Sequence, residues 1–173
     1  MKIGVPTENF PGERRVALVP ASIPLLKKAG LDVLVQQGAG VQAGFTDAAY
    51  QEKGAQMVTS RADVFTSADV VLRVRLAGAA GDQGREDLPL LRPGQIVIGM
   101  ADPLGAPEAV RELAARNVTA FALELIPRIT RAQSMDVLSS MATIGGYKAV
   151  LLAADTLPRM FPLLTTPTPT MNT

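Results

Sequence analysis

The sequence predicts a doubly wound α/β fold: a mostly parallel sheet covered by helices, followed by one long C-terminal brace helix. Three observations carry this reading. Short β-type runs alternate with helical patterns along the first two thirds of the chain. Two of the runs, DVVLRV at 69–74 and IVIGM at 96–100, are almost continuously apolar, as strands buried on both faces are. A single helical stretch at 132–154 is longer than a crossover helix needs to be. The 173 residues, 47% hydrophobic and 19% charged, suffice for one α/β domain and the beginning of a second.

The elements follow in order. Residues 2–5 (KIGV) read as a first strand, and 20–29 as a helix with Ile23, Leu25 and Leu26 apolar and Gly30 placed to end it. Residues 32–37 (DVLVQQ) form the next strand. Asp47 suits the N-cap of a helix running to Lys53 and closed by Gly54. A short strand at 56–58 and a short helix at 61–66 lead into the apolar strand 69–74. Residues 76–87, rich in glycine and alanine, read as a loop. The strand 96–100, a helix at 107–115 with proline in its first turn, and a strand at 118–122 complete the sheet.

This order gives a flavodoxin-like or Rossmann-like domain at 1–131, an interdomain brace helix at 132–155, and a linker or truncated end at 156–173. The segment 137–154 is interrupted by Thr143, Tyr147 and Lys148, whereas a membrane span needs about 20 consecutive apolar residues. It is predicted to be a buried helix of a soluble protein.

Composition excludes several chemistries. Seventeen basic and sixteen acidic residues leave a net charge of +1, with no electrostatic case for nucleic acid or an anionic membrane. Cysteine and histidine are absent, so neither a Ser-His-Asp nor a Cys-His triad, nor a metal held by imidazole or thiolate, is available. No metal site and no residue for acid-base catalysis is predicted. The first ten residues lack the apolar run of a signal peptide.

Four segments attract functional readings. GAGVQAG at 38–44 follows a strand, but its third glycine comes one position too late for a dinucleotide fingerprint; a loop needing positive φ is the better reading. Arg14 and Arg15 follow the first strand, where a guanidinium fork could clamp a carboxylate or phosphate, or simply pair with Glu13. Arg73 interrupts an apolar strand. Either the strand end reaches a polar crevice, or the side chain snorkels from an edge.

The richest segment is PRITRAQSMDVLSSMATIGGYKAV at 127–150. Arg128 and Arg131 lie in a turn after Pro127. Gln133, Asp136 and Ser139 recur at three-residue spacing and, on one helix, share a sector opposite Val137, Leu138, Met141 and Ile144. A guanidinium, an amide and a carboxylate on one surface can hydrogen-bond a carboxamide and a ribose; an ordinary polar helix face is the plainer alternative.

Those residues resemble a known family. MKIGVPTENFPGERRVALVP, then GFTDAAYQEKGAQMV and SADVVLRV, is the opening pattern shared by alanine dehydrogenases and proton-translocating NAD(P) transhydrogenases. The 127–150 segment resembles the signature of the transhydrogenase NAD(H)-binding alpha subunit (domain I), N-terminal part. The resemblance implies that Arg128, Gln133, Asp136 and Ser139 contact the nicotinamide end of NAD(H), with Arg15 and Arg73 as secondary candidates. It implies NADP(H) on a partner subunit, transmembrane partner subunits, a homodimer without direct membrane insertion, and a cytoplasmic location peripheral to the inner membrane. Alanine dehydrogenases use a histidine near the strand equivalent to 96–100, where this chain reads IVIGMADPLG. In the family a strand and a GxGxxG turn follow FPLLTT, where this chain reads PTPTMNT. The expectation is therefore a fragment inactive alone, with an assembly module or an alanine dehydrogenase-like fragment as alternatives.

Overall fold

The computed structural model describes residues 1–159. The chain divides into two compact units, the first Met1–Met135 and the second beginning at Asp136.

The first unit is built on a six-stranded, all-parallel sheet. Its strands are β1 (Lys2–Val5), β2 (Asp32–Gln36), β3 (Gln56–Val58), β4 (Val70–Arg75), β5 (Ile96–Met100) and β6 (Thr119–Ala122), in the order β3-β2-β1-β4-β5-β6. All six are those predicted. Central β1 sets Ile3 opposite Val33 on one side and Val70 on the other. Strand order reverses between β1 and β4, the topological switch point at which open α/β sheets take ligands.

Side chains alternate between the two faces with period two. Ile3, Val5, Val33, Val35 and Val70 face α1 (Ile23–Lys28) and α2 (Asp47–Glu52), which contribute Ile23 and Tyr50 to this core. Val71 and Val97 point the other way, into a core with Phe65 of α3 (Arg61–Ser67), Leu88, Leu91, and Ala109 and Leu113 of α5 (Pro107–Ala115). At Gly4 a Cβ would lie 2.7 Å from both Ala68 Cβ and Val64 Cγ1, so only glycine lets this helix face close on β1. Beside β5, edge strand β6 leaves Phe121 exposed opposite half-buried Ile98.

The glycine-rich loop behaves as a turn. Gly38 and Gly44 have φ of 80° and 88°, and a Cβ on Gly40 would meet the Tyr50 ring at 2.5 Å. Tyr50, fully buried, donates its hydroxyl to the Leu18 carbonyl at 2.8 Å. Burial and nearby Asp47 push its phenol up to about 12. Two local predictions need correction. The cap of α2 is Thr46, whose side chain accepts the Ala49 N–H; Asp47 instead accepts the Gly38 N–H at 2.9 Å. The predicted loop 76–87 contains a short helix, α4 (Gly81–Arg85), tied to α5 by Arg85–Glu112 at 3.0 Å.

The second unit is dominated by α6 (Val137–Thr156). The helix predicted from residue 132 begins five residues later, because Thr130–Met135 is a 3-10 turn and Asp136 is extended, with φ −77° and ψ 91°. The predicted burial does not hold among the described residues. No residue of α6 is buried, and Ile144, Tyr147, Val150 and Leu152 are all at least half exposed. By length and composition alone the helix could also cross a membrane. Of the predicted terminal linker, residues 160–173 lie outside the described residues.

Candidate functional site

In a parallel sheet the strand ends leave backbone N–H groups at the carboxyl edge, where nucleotide-binding domains of this class hold phosphates. Here side chains of the same chain occupy them. Gln36 accepts the Thr7 N–H at 2.9 Å after β1, and Asp47 the Gly38 N–H after β2. Glu8 accepts the N–H groups of Val74 (2.8 Å) and Arg75 (3.4 Å) at the end of β4. Glu124 accepts that of Ala101 at 2.7 Å after β5, and that of Asp102 as well. Among the described residues, these strand-end amides are therefore already engaged within the chain.

Arg73 is 3% exposed, and the first of its two sequence readings is correct: the strand end reaches a polar crevice. Pairing of β4 with β5 slips between Leu72 and Arg75, and this bulge re-aims the strand end. Glu8 receives Arg73 Nε and Nη2, each at 3.2 Å, and Asn9 Oδ1 receives Nη2 at 2.7 Å. Asp87 pairs with Arg73 and also receives Arg61 Nε and Nη2 at 2.6 and 2.8 Å. Burial pulls both guanidinium groups below their ordinary value, and Glu8 opposes that pull at each. Four hydrogen bonds to Glu8, Asn9 and Asp87 thus hold Arg73 as a buried structural cation.

Arg15 pairs with Glu13, the contact that its plainer reading names. Its guanidinium makes a two-point contact with Glu13, at 2.7 and 2.5 Å, and Arg75 reaches the same carboxylate at 2.9 Å. Phe10 lies against Arg75 with its ring centroid 4.4 Å from the guanidinium carbon. Hydrogen bonds from Arg15, then Arg75, hold the Glu13 carboxyl at about 2 against an ordinary 4.5, with burial opposing them. A depressed carboxyl stabilises the fold fully above its unfolded pKa and loses that contribution as pH falls through the folded one. Melting temperature is therefore expected to fall between pH 4.5 and 2, and Glu13→Gln to flatten that stretch of the profile. An identical pH profile for the variant overturns this.

The four principal candidates divide between the units. Arg128 and Gln133 are exposed on the first, Arg128 at the centre of a tight turn in which Ile129 N–H donates to Pro127 O at 2.9 Å. Asp136 and Ser139 belong to the second. There Asp136 caps α6, receiving the Ser139 N–H at 2.9 Å and its hydroxyl at 2.6 Å. Gln133, Asp136 and Ser139 therefore do not share one helical face as predicted, because Asp136 sits at the helix entrance. Reasoning from the sequence alone missed Glu8, Arg75, Asp87 and Glu124. Glu8 lies three residues beyond β1, in the same connection as Arg15, and that position was its signal.

Comparison with known proteins shows the family. Residues 4–145 match the model of the family described as alanine dehydrogenase/PNT, N-terminal domain. The chain is 40% identical over 166 residues to a Rhodospirillum rubrum protein named as the first part of NAD(P) transhydrogenase subunit alpha, covering 96% of this chain and 43% of that protein. A crystal structure of transhydrogenase from Sinorhizobium meliloti superposes with a TM-score of 0.84 at 40% identity, over 96% of this chain and 48% of that one. A solved L-alanine dehydrogenase gives 0.78 at 31% identity, over 90% and 40%. The chain thus spans less than half the length of these relatives.

Proposed function

Because the chain belongs to the alanine dehydrogenase/PNT N-terminal domain family, we propose that it is the front portion of the NAD(H)-binding alpha subunit of a proton-translocating transhydrogenase. The observation that carries this is the Arg128–Ser139 segment: an exposed guanidinium and amide followed by a carboxylate fixed as a helix cap. Bound NADH supplies a hydride that passes to NADP+ on a partner subunit, coupled to proton movement. The chain's own residues provide alignment. Arg128 and Gln133 hydrogen-bond the carboxamide end, while Asp136, pinned by its bonds to Ser139, receives ribose or amide donors. Direct hydride transfer needs positioning and exclusion of water, not a proton acceptor, so a chain without histidine is adequate.

The activity belongs to the assembled complex. The location is cytoplasmic, peripheral to the inner membrane through transmembrane partner subunits. The isolated chain binds NADH no tighter than about millimolar and does not turn over, since its own side chains already take the strand-end amides of β1, β2, β4 and β5. A chimera tests the reading: residues 1–150 of this chain replace the matching segment of the Rhodospirillum rubrum subunit, and hydride transfer is assayed with that organism's partner subunits. Transfer is expected to survive, and Gln133→Ala or Asp136→Ala to lower it at least about tenfold. A folded chimera without activity, or variants as active as their parent, would sink the assignment.

The exposure of α6 favours a second, compatible reading, a dimerisation module. A helix apolar on all sides calls for cover on more than one face. Two copies of α6 packing together bury some of it, and Gly145 and Gly146, with no atom within 4 Å of an added Cβ, allow close approach. Light scattering is expected to give a dimer; a monomer across the concentration range counts against it.

A further inference from the structure

The contacts around Glu8 have the form of a ligand in a receptor. Its two carboxylate oxygens face the edge of the Arg73 guanidinium as parallel partners, Nε to Oε1 and Nη2 to Oε2. Each oxygen also takes one N–H from the end of β4, Oε1 that of Val74 and Oε2 that of Arg75. A regular pleat would not present two successive amides to one acceptor group; the slip between Leu72 and Arg75 does. The receptor is desolvated, with the Arg73 and Glu8 side chains 2% and 3% exposed. It is also preorganised, since Asp87 and Asn9 hold the guanidinium from other directions. It stands between β1 and β4, at the switch point of the sheet.

We propose that the Arg73 fork with the Val74 and Arg75 amides is a binding site for a small monocarboxylate, and that Glu8 is its resident ligand. Glu8 thereby decides what the switch-point crevice accepts: a tethered carboxylate fills the site, and free carboxylic acids are kept out. The reading is independent of the proposed nicotinamide contacts of Arg128, Gln133 and Asp136. The site's chemistry suits a planar two-oxygen anion better than a spherical one, because the fork and the two amides define two oxygen positions.

Glu8→Ala removes Cγ and the carboxyl group, which together have the heavy atoms of acetate. The full-length variant is melted in increasing sodium acetate and, at matched ionic strength, in sodium chloride. Acetate is expected to raise the melting temperature of Glu8→Ala by about 4 °C at tenfold over its dissociation constant. The parent chain should respond equally to both salts. Adding Arg73→Met to Glu8→Ala should abolish the difference between salts. If Glu8→Ala does not fold in chloride, the readout becomes refolding yield by circular dichroism in acetate against chloride. Equal behaviour of Glu8→Ala in the two salts, in melting or in refolding, overturns the proposal; so does an acetate response that persists without Arg73.

Discussion

Replacing Arg73 with methionine is expected to destabilise the first unit by about 3–5 kcal/mol, the usual consequence of removing one partner from a buried charge cluster. The arginine side chain contributes few apolar contacts that methionine could not supply. What is lost is the neutralisation of Glu8 and Asp87, whose side chains are 3% and 9% exposed. Arg61 still reaches Asp87, but nothing replaces Arg73 against Glu8. Urea unfolding followed by far-ultraviolet circular dichroism measures the loss. Combining Arg73→Met with Glu8→Gln should recover some of it, because the stranded charge is then absent. A loss under about 1 kcal/mol for Arg73→Met would mean that the crevice is open to water.

Gly78→Ala is the second substitution with a large expected effect. An added Cβ would stand 1.8 Å from the Ala101 carbonyl oxygen, a backbone atom that cannot swing aside. Relief requires the carboxyl ends of β4 and β5 to separate, which strains the 2.7 Å hydrogen bond from Leu76 N to Met100 O and the Glu124 cap on Ala101. Overpacking of this kind costs about 3 kcal/mol. Gly12→Ala is a useful reference, since no atom lies within 4 Å of its added Cβ and the cost there comes from its φ of 79° alone. In urea Gly78→Ala should unfold well before Gly12→Ala; equal midpoints would contradict the close approach.

The strands were legible because burial on both faces leaves a mark in local composition, and DVVLRV and IVIGM carry it. Arg73 stood out for the same reason, yet its partners did not. Glu8 is 65 residues away, and the register slip that joins them depends on pairing between strands. Thr46 and Asp47 are both good caps, and the choice between them turns on Gly38, whose N–H takes the Asp47 carboxylate. Asp136 was within reach: an aspartate just before an apolar run, with serine three residues on, is an N-cap pattern that the even three-residue spacing concealed. The length of α6 was local information, whereas its burial depends on what other surfaces offer.

The caps along the carboxyl edge also divide the domain into separately observable hinges. The Thr7, Gly38, Val74 and Ala101 amides answer respectively to Gln36 on β2, Asp47 on α2, Glu8 in the first connection and Glu124 after β6. Each can exchange its proton with solvent only after its own partner lets go. Hydrogen exchange at four positions thus ranks the order in which these segments loosen.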